Sequence, residues 1–388
     1  MHSYEAGKYL THLIGCSLNN QTPQELSRSF AWEEVFKQSR WHSVENMAFH
    51  GVNKLQYKPK GRIYDLWQEL SHKSLVKELS FNTERDKILT KFENHGIKYL
   101  PLKGIIIKDY YPVSGMRLMA DNDILYDKNR QDDVLKIMRS LEYSCKSLIG
   151  NHDVYYKEPI FNFELHKSLM RDTSPHHTYF EKVWDRAIKD EENNYGYHLN
   201  HEDFYIYLVA HFYKHYENGG SGIRSLADLY VFLRKFGSQL DFHYIYRELE
   251  ILMLNDFEEK MSTLAFYIYE DKELSPDEEK ELAYLLQSGV YGNIENSINN
   301  KITKELKNDK SLKLAQIRYL WRRLIPDIEF MKRRNPILNK YPVLYPCLCI
   351  ARLFKVFLNY ARIKKEVVAV KNYNPKTKAR CIYSDEKL

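Results

Sequence analysis

The apolar pattern of the chain changes from helical to strand-like between residues 96 and 166. Within these roughly seventy residues, strands are predicted at 97–102, 122–126, 143–147, 153–157 and 161–166, and helices at 104–110 and 131–141. Strands and helices alternating at this density favour a small mixed sheet with helices packed against it. The predicted fold class is therefore α+β, with a compact sheet core between helical flanks.

Helical patterning surrounds this stretch on both sides. Residues 62–94 form a long charged segment without Gly or Pro, and apolar residues return at helical spacing from about residue 175, with helices predicted at 203–216, 223–236 and 244–269. Two helix starts combine a hydroxyl N-cap, a first-turn proline and a glutamate at the third position, Thr22-Pro23-Gln24-Glu25 and Ser275-Pro276-Asp277-Glu278. The chain is divided accordingly into an N-terminal helical region (1–95), an α+β core (96–190), a C-terminal helical domain (191–330) and a basic C-terminal helix and tail (331–388).

Composition is that of a packed protein of several domains. The chain has 388 residues, of which 44% are hydrophobic and 28% charged, so two or three domains are expected and global disorder is not. The most apolar segment, 343–360, carries Arg352 and Lys355, which predicts an amphipathic or buried helix rather than a membrane span. Five scattered cysteines fit reduced thiols, and Glu5 stands where an export signal has its basic region. We therefore expect a cytoplasmic protein that is not transmembrane.

Positive charge is concentrated at the C-terminal end. Residues 331–388 carry fourteen Lys and Arg against three Asp and Glu, a net charge of +11, whereas the whole chain is +6, which leaves −5 for residues 1–330. Such a run is either a solvated tail or a surface for an acidic partner, such as nucleic acid or anionic lipid. We expect the last cluster to be separable from the fold by a cut after Val370.

Asp121 and Asp123 stand two positions apart at the start of a predicted strand. Side chains at i and i+2 of a strand project from the same face, so these carboxylates repel each other unless a divalent cation neutralises them. Mg²⁺ takes one or two carboxylates together with substrate phosphates, which suits this pair. The alternative is an ordinary Asp-x-Asp in a surface turn, and the motif alone favours that alternative.

The segment before the pair adds a candidate phosphate site. A predicted strand runs into Lys103-Gly104 and then into a helix, which directs backbone N–H groups and a positive dipole end at a bound phosphate. Gly104 allows close approach of the backbone, and Lys103 supplies a point charge. This context favours the functional interpretation of the Asp pair.

A third carboxylate, Glu164, lies on the last predicted strand. Glu164 and His166 share one face, and the apolar residues between and before them share the other. Such an alternation is usually the solvent side of an edge strand. On a strand beside the Asp pair, Glu164 becomes a third metal ligand or a general base.

Two further pairs lie at helical spacing after the predicted sheet. His211 and His215 are one turn apart, a spacing that suits packing, substrate contact or, less favourably, zinc, since no carboxylate or cysteine nearby completes a zinc set. Arg224 and Asp228 are also at i and i+4, so a salt bridge within one helix is the simple interpretation.

Taken together, these residues resemble the uncharacterised bacterial nucleotidyltransferases of the polymerase-β-like superfamily. The motifs that carry the resemblance are Leu102-Lys103-Gly104, Arg117 before Asp121-x-Asp123, Glu164-Leu165-His166, His211 with His215, and Ile223-Arg224-Ser225-Leu226-Ala227-Asp228-Leu229. They span about a third of the chain. Asn122 departs from the family pattern, because an aliphatic residue is usual there, and it raises the question of whether the strand is buried.

The resemblance implies transfer of a nucleoside monophosphate from a nucleoside triphosphate, ATP by default, to a hydroxyl acceptor. Asp121, Asp123 and Glu164 would hold Mg²⁺ or Mn²⁺, and Lys103, Gly104 and Arg117 would face the triphosphate. His166, His211, His215, Arg224 and Asp228 would line the substrate cleft. The acceptor is expected to be a small molecule or a protein rather than RNA. An RNA-directed enzyme drawn by the basic C-terminus, and a catalytically silent nucleotide- or partner-binding protein, are the alternatives.

Overall fold

The computed structural model describes residues 2–26, 31–148, 150–308, 311–335, 337–358, 366–371 and 373. These residues form two compact units, the first running to Tyr213 and including Gly222–Leu282, the second comprising Lys214–Ser221 and the residues from Ala283 onward. The boundaries drawn from the sequence at 95 and 190 fall inside the first unit, and the one at 330 falls inside the second. The contacts thus group the chain in two rather than in four.

The first unit contains the predicted mixed sheet. Its five strands stand in the order β1-β2-β5-β4-β3 and comprise β1 (Tyr99–Pro101), β2 (Asn122–Tyr126), β3 (Ser144–Ser147), β4 (His152–Lys157) and β5 (Phe161–His166). β2 and β5 are parallel, and all other neighbours in the sheet are antiparallel. Each strand lies where the sequence predicts one, so the α+β class is confirmed. A separate ribbon pairs β6 (Ile188–Lys189) with β7 (Tyr197–His198).

Helices surround this sheet in the chain order that the periodicity predicts. They are α1 (His2–Leu18), α2 (Trp32–Trp41), α3 (Glu45–Val52), α4 (Arg62–Asn94), α5 (Gly104–Ile107), α6 (Gln131–Ser140), α7 (His177–Glu181), α8 (Val183–Arg186), α9 (His201–Glu217), α10 (Ile223–Phe236), α11 (Phe242–Ile251) and α12 (Asn255–Tyr269). The predicted single helix at 244–269 is divided at residues 252–254, where Met253 takes a φ of +55° and ends α11. Neither Gly nor Pro marks that break in the sequence.

The core of the sheet lies between the strands and helices α4 and α6. Along α4 the buried residues Phe81, Ile88 and Phe92 recur at helical spacing and pack against Phe163 and neighbouring strand residues. One face of the sheet is therefore filled with apolar side chains. The opposite face carries the residues that alternate with them, Asp123 on β2 and Glu164 and His166 on β5.

One of the two predicted helix starts is wrong. Residues 21–26 are not helical, and α2 begins only at Trp32. The Glu25 carboxylate instead accepts hydrogen bonds from the backbone N–H groups of Gln56 and Tyr57, at 3.0 and 3.3 Å, so a tertiary contact has replaced the expected cap. At the other start, Ser275 and Glu278 bond reciprocally, as a capping box requires.

The second unit is helical, with α13 (Pro276–Ser288) leading into it. Its further helices are α14 (Ile294–Asn308), α15 (Leu312–Leu324), α16 (Ile328–Arg334), α17 (Ile337–Lys340) and α18 (Tyr345–Leu358). Tyr373 is buried in its core, and its hydroxyl lies 2.9 Å from Thr303 Oγ1. A cut after Val370 would remove this residue and its contact with Thr303, whereas separability of the tail stays a prediction. Residues 374–388 lie outside the described residues.

Within the described stretches, no helix is long and apolar enough to cross a membrane. The cysteines described there, Cys16, Cys145, Cys347 and Cys349, form no disulfide with one another.

Strand β2 is buried along its whole length, which answers the question that Asn122 raises. Asn122 is fully buried on the core face, and both polar atoms of its amide lack a hydrogen-bond partner among the residues that the structure describes. Burying an amide without a partner costs roughly 1–3 kcal/mol. The residue therefore weakens the strand that carries the Asp pair.

We predict that Asn122→Leu stabilises the protein, because it replaces an unpaired amide with an apolar side chain of similar size. The free energy of unfolding should rise by about 1–3 kcal/mol, measured by chemical denaturation. Asn162→Leu, at a half-buried site on β5 whose side chain is not orphaned, is the matched control and should not stabilise. Loss of stability in Asn122→Leu would contradict this account of the strand.

Candidate active site

Parallel pairing of β2 with β5 brings the acidic residues together. Asp123 lies opposite Glu164 in the register, and His166 lies two residues further along β5. Asp121 directly precedes β2 and is half-buried, whereas Asp123 is buried. The sheet topology thus gathers residues more than forty positions apart onto one face, as the sequence predicts.

The Asp123 carboxylate is held by two neighbours. Its Oδ1 accepts a hydrogen bond from Lys103 Nζ at 2.9 Å and lies 2.6 Å from His166 Nε2. Burial alone would raise the pKa of Asp123, but Lys103 and His166 outweigh it and keep that pKa below its usual value. Asp123 is therefore ionised and fixed in orientation.

Lys103 reaches Asp123 from a strained turn. Its φ is +43°, a left-handed value that costs a non-glycine residue energy, and the backbone N–H of Leu102 bonds to the Asp123 carbonyl at 3.0 Å. A Cβ on Gly104 would meet Arg117 Nη1 at 2.7 Å, so only glycine fits there. The helix that follows has one α-helical turn, Gly104–Ile107, and continues as a 3-10 helix through Lys108–Tyr110, so its extent is the one expected from the sequence. Lys103 itself is committed to Asp123.

Asp121 differs from Asp123 in its surroundings. Its carboxylate makes no hydrogen bond or ion pair with another residue in the described part of the chain. Burial, and secondarily the charge of Asp123, raise its pKa. Asp121 thus carries a poorly compensated charge next to a second carboxylate.

Two cations stand near Asp121 without an ion pair of their own among the described residues. Burial lowers the pKa of Lys77 on α4, and the Asp121 carboxylate opposes that effect. Burial also lowers the pKa of Arg224 on α10, with Arg117 adding to it and Asp228 and Asp121 opposing. Both side chains are half-buried beside the Asp pair. They are suited to an anionic ligand placed there.

The Arg117 guanidinium is not exposed but is paired with another residue of the protein. Its Nε and Nη2 donate to the two carboxylate oxygens of Asp228 at 2.7 and 2.8 Å, and the Tyr111 hydroxyl donates to Asp228 at 2.7 Å. All three residues are buried. Asp228 therefore pairs with Arg117 and not with Arg224, one turn away on its own helix, which is the pairing that the simple interpretation of the sequence favours.

Glu164 and two imidazoles complete the polar face. Glu164 Oε2 lies 3.6 Å from His152 Nε2 and 3.9 Å from His166 Nε2. His152 lies directly opposite His166 in the β4–β5 register. Burial, followed by the charge of His166, lowers the pKa of His152 to about 4, so this imidazole is neutral at pH 7.

The two later histidines take different positions. The ring centre of His211 lies 6.0 Å from that of Tyr207. The Tyr207 hydroxyl is buried, and Lys103 is the charged residue that acts on it most strongly. His215 is exposed and is grouped with the second unit. His211 is thus connected to the acidic site only through Tyr207, which lies near Lys103.

Lys77 and His152 were missed by the sequence motifs. Lys77 lies four residues before the buried Phe81, so a lysine within the buried stripe of α4 was the available signal. His152 is the first residue of β4. The alternation of side chains along β4 fits a position beside His166, but only the strand register shows that the two residues are neighbours.

The mixed sheet thus places Asp123 and Glu164 on one face, with Asp121 directly before the strand and two cations near it. Residues 28–270, more than half of the chain, match the family described as uncharacterised nucleotidyltransferase. The chain therefore belongs to this family and is a nucleotidyltransferase. No curated protein and no solved structure matches it significantly.

We predict that Asp228→Asn destabilises the protein strongly, because it leaves the Arg117 guanidinium buried beside a neutral amide. Breaking a buried pair in this way typically costs about 3–5 kcal/mol, which chemical denaturation can measure. Asp133→Asn is the matched control, since it breaks the more exposed Arg130–Asp133 pair of 2.8 Å and should cost at most about 1 kcal/mol. Equal losses in both variants would contradict a special role for the buried pair.

Proposed function

We propose that this enzyme transfers a nucleoside monophosphate, AMP by default, from a nucleoside triphosphate to a hydroxyl acceptor and releases pyrophosphate. Asp121, Asp123 and Glu164 are assigned the divalent metal, Mg²⁺ or Mn²⁺. The acceptor is proposed to be a small molecule or a protein rather than RNA, and the site of action the cytoplasm. The observation that carries the proposal is the Asp121 carboxylate, half-buried beside Asp123 with no partner among the described residues.

The residues present fit a hard divalent cation. Asp121 offers two carboxylate oxygens, and Asp123 has Oδ2 available beyond the Oδ1 that Lys103 and His166 engage. Oxygen ligands from one or two carboxylates, completed by substrate phosphates, are what Mg²⁺ takes in such sites. A bound divalent cation would neutralise the triphosphate and activate the acceptor hydroxyl.

The chain's own residues then divide the work. Lys103 and His166 keep Asp123 ionised and correctly oriented. Glu164, on the neighbouring strand, is proposed to accept the proton of the attacking hydroxyl or to complete the metal site. The Arg117–Asp228 pair fixes the loop before Asp121, which makes Arg117 a positioning residue rather than a phosphate ligand.

Lys77 and Arg224 are proposed to receive the triphosphate. Both are close enough to Asp121 for its charge to act on them, and both lack an ion pair among the described residues. Binding a polyanion would give these half-buried cations the compensation that the protein itself does not. Arg224 thus belongs to the substrate cleft predicted from the sequence, and Lys77 is added to it.

Transfer should be tested with ATP, CTP, GTP and UTP labelled at the α- or the γ-phosphate, with Mg²⁺ or Mn²⁺ and fractionated cell extract as the source of acceptor. We predict incorporation of α-label only, and a loss of about 10³-fold in Asp121→Asn, since metal-ion catalysis contributes several kcal/mol. Asp132→Asn, an exposed aspartate on α6, should transfer normally. Incorporation of γ-label, or undiminished transfer by Asp121→Asn, would contradict the proposal.

The two cations give a separate prediction about substrate affinity. Lys77→Ala and Arg224→Ala should each weaken triphosphate binding by about ten- to a hundredfold, because a charge-assisted hydrogen bond is worth roughly 1.5–3 kcal/mol. Lys73→Ala, which removes an exposed lysine paired with Glu69 one turn away, is the control and should bind normally. Isothermal titration with a non-hydrolysable ATP analogue measures all three. Unchanged affinity in both test variants would remove these residues from the site.

A further inference from the structure

Glu164 is bordered by two imidazoles, of which His152 has no role in the proposed transfer and His166 contacts Asp123. His152 on β4 and His166 on β5 lie opposite each other in the register, with ring centres 5.1 Å apart. The ligand atoms of His152, Glu164 and His166 all lie within 4.8 Å of one another. Two nitrogens and one carboxylate oxygen therefore converge on one side of the acidic site.

Their separations match those of atoms bound to a common metal ion. His152 Nε2 and His166 Nε2 lie 3.6 and 3.9 Å from Glu164 Oε2, longer than hydrogen bonds. Ligands held at about 2.0–2.2 Å from a tetrahedral metal lie roughly 3.3–3.5 Å apart, so small side-chain movements would close this set.

A second observation concerns His152 alone. Its Nδ1 is buried and has no hydrogen-bond partner among the residues described, although the side chain as a whole is 24% exposed. The other nitrogen, Nε2, lies 3.6 Å from Glu164 Oε2 and makes no hydrogen bond among the residues described, so its lone pair is open to a metal ion. Neither nitrogen of the His152 ring makes a hydrogen bond that holds the sheet together among the residues described.

The chemistry of the donors indicates the class of ligand. Imidazole nitrogens suit Co²⁺, Ni²⁺ and Zn²⁺ better than Mg²⁺ or Mn²⁺, which prefer oxygen ligands. His166 Nε2 also lies 2.6 Å from Asp123 Oδ1, so a cation bound to this nitrogen would replace that hydrogen bond and would adjoin the Asp pair. The set thus differs from Asp121 and Asp123 in the metal that it favours.

We propose that His152, Glu164 and His166 form a binding site for a divalent transition-metal ion, distinct in ligand chemistry from the oxygen site of the Asp pair. This site goes beyond nucleotidyl transfer, because it binds its metal without a nucleotide. Where both sites are filled, the ion next to Glu164 is nitrogen-ligated.

The test is titration of the full-length protein with CoCl₂ and, separately, with MgCl₂, in the absence of nucleotide. The visible absorption of Co²⁺ and the heat of binding are followed together. Wild-type protein should bind Co²⁺ at least about tenfold more tightly than Mg²⁺. His152→Ala should lower Co²⁺ affinity by about 10–100-fold, because even residues outside the ligand set change metal affinity by that much, and should leave Mg²⁺ affinity unchanged.

Two controls make the result specific. His198→Ala removes an exposed imidazole bonded to Asp190 at 2.6 Å and should leave Co²⁺ binding unchanged. His152→Gln keeps the side-chain volume, so a shared loss of Co²⁺ binding in both His152 variants, with the wild-type circular dichroism spectrum, identifies ligation rather than misfolding. Wild-type Co²⁺ affinity and absorption in both folded His152 variants would overturn the proposal.

The outcome is separable from that of the proposed transfer. Asp121→Asn should lose transfer yet keep the Co²⁺ absorption. If Asp121→Asn loses that absorption while the His152 variants keep it, cobalt binds at the Asp pair and the histidine site is refuted. If wild-type protein shows histidine-dependent Co²⁺ binding but transfers no α-label, the proposed transfer fails and the histidine site stands.

Discussion

Repulsion between Asp121 and Asp123 is the constraint around which the first unit is arranged. The two carboxylates lie two residues apart at the start of a buried strand, where solvent screening is weak. The protein compensates one of them fully, since Lys103 and His166 both contact Asp123. It leaves Asp121 without such a partner among the described residues, and places Lys77 and Arg224 nearby. This difference between Asp123 and Asp121 suits an enzyme in which the positive charge that compensates Asp121 arrives with the substrate.

Maintaining this arrangement without a ligand requires rigid support. The buried Arg117–Asp228 pair connects the loop before Asp121 to α10, and Arg117 also occupies the space that a side chain on residue 104 would need. Lys103 is held at a left-handed φ, a strain of the kind that clusters at functional sites. Residues whose charges are not directed at the proposed substrate thus fix the positions of the charged residues that are. The acidic face of the sheet has the apolar core behind it, including the Asn122 amide, which has no hydrogen-bond partner among the described residues.

Local patterns in the sequence were sufficient for the strands and most helices. Alternation placed β2 and β5, and the capping box at Ser275 placed α13, because these signals are decided by neighbouring residues. The same logic failed at Thr22, where Glu25 caps a distant loop, since local sequence does not report tertiary contacts. The Asp pair and Glu164 could be found because i, i+2 spacing fixes a shared face. The ion-pair partners of these charged residues could not be found in this way. Asp228 pairs with Arg117, 111 positions away, rather than with its helical neighbour Arg224. His152 and Lys77 join the site through strand register and helix packing, which the sequence does not specify.

Asp121 and Asp123 are proposed to be the site where metal and nucleotide meet. The most direct measurement is a crystal structure with Mn²⁺ and a non-hydrolysable ATP analogue, in which anomalous scattering locates the metal. We predict a manganese peak bonded to carboxylate oxygens of both Asp121 and Asp123 and to phosphate oxygens, with Lys77 and Arg224 contacting the triphosphate. A nucleotide bound elsewhere, or manganese with no contact to either aspartate, would contradict it.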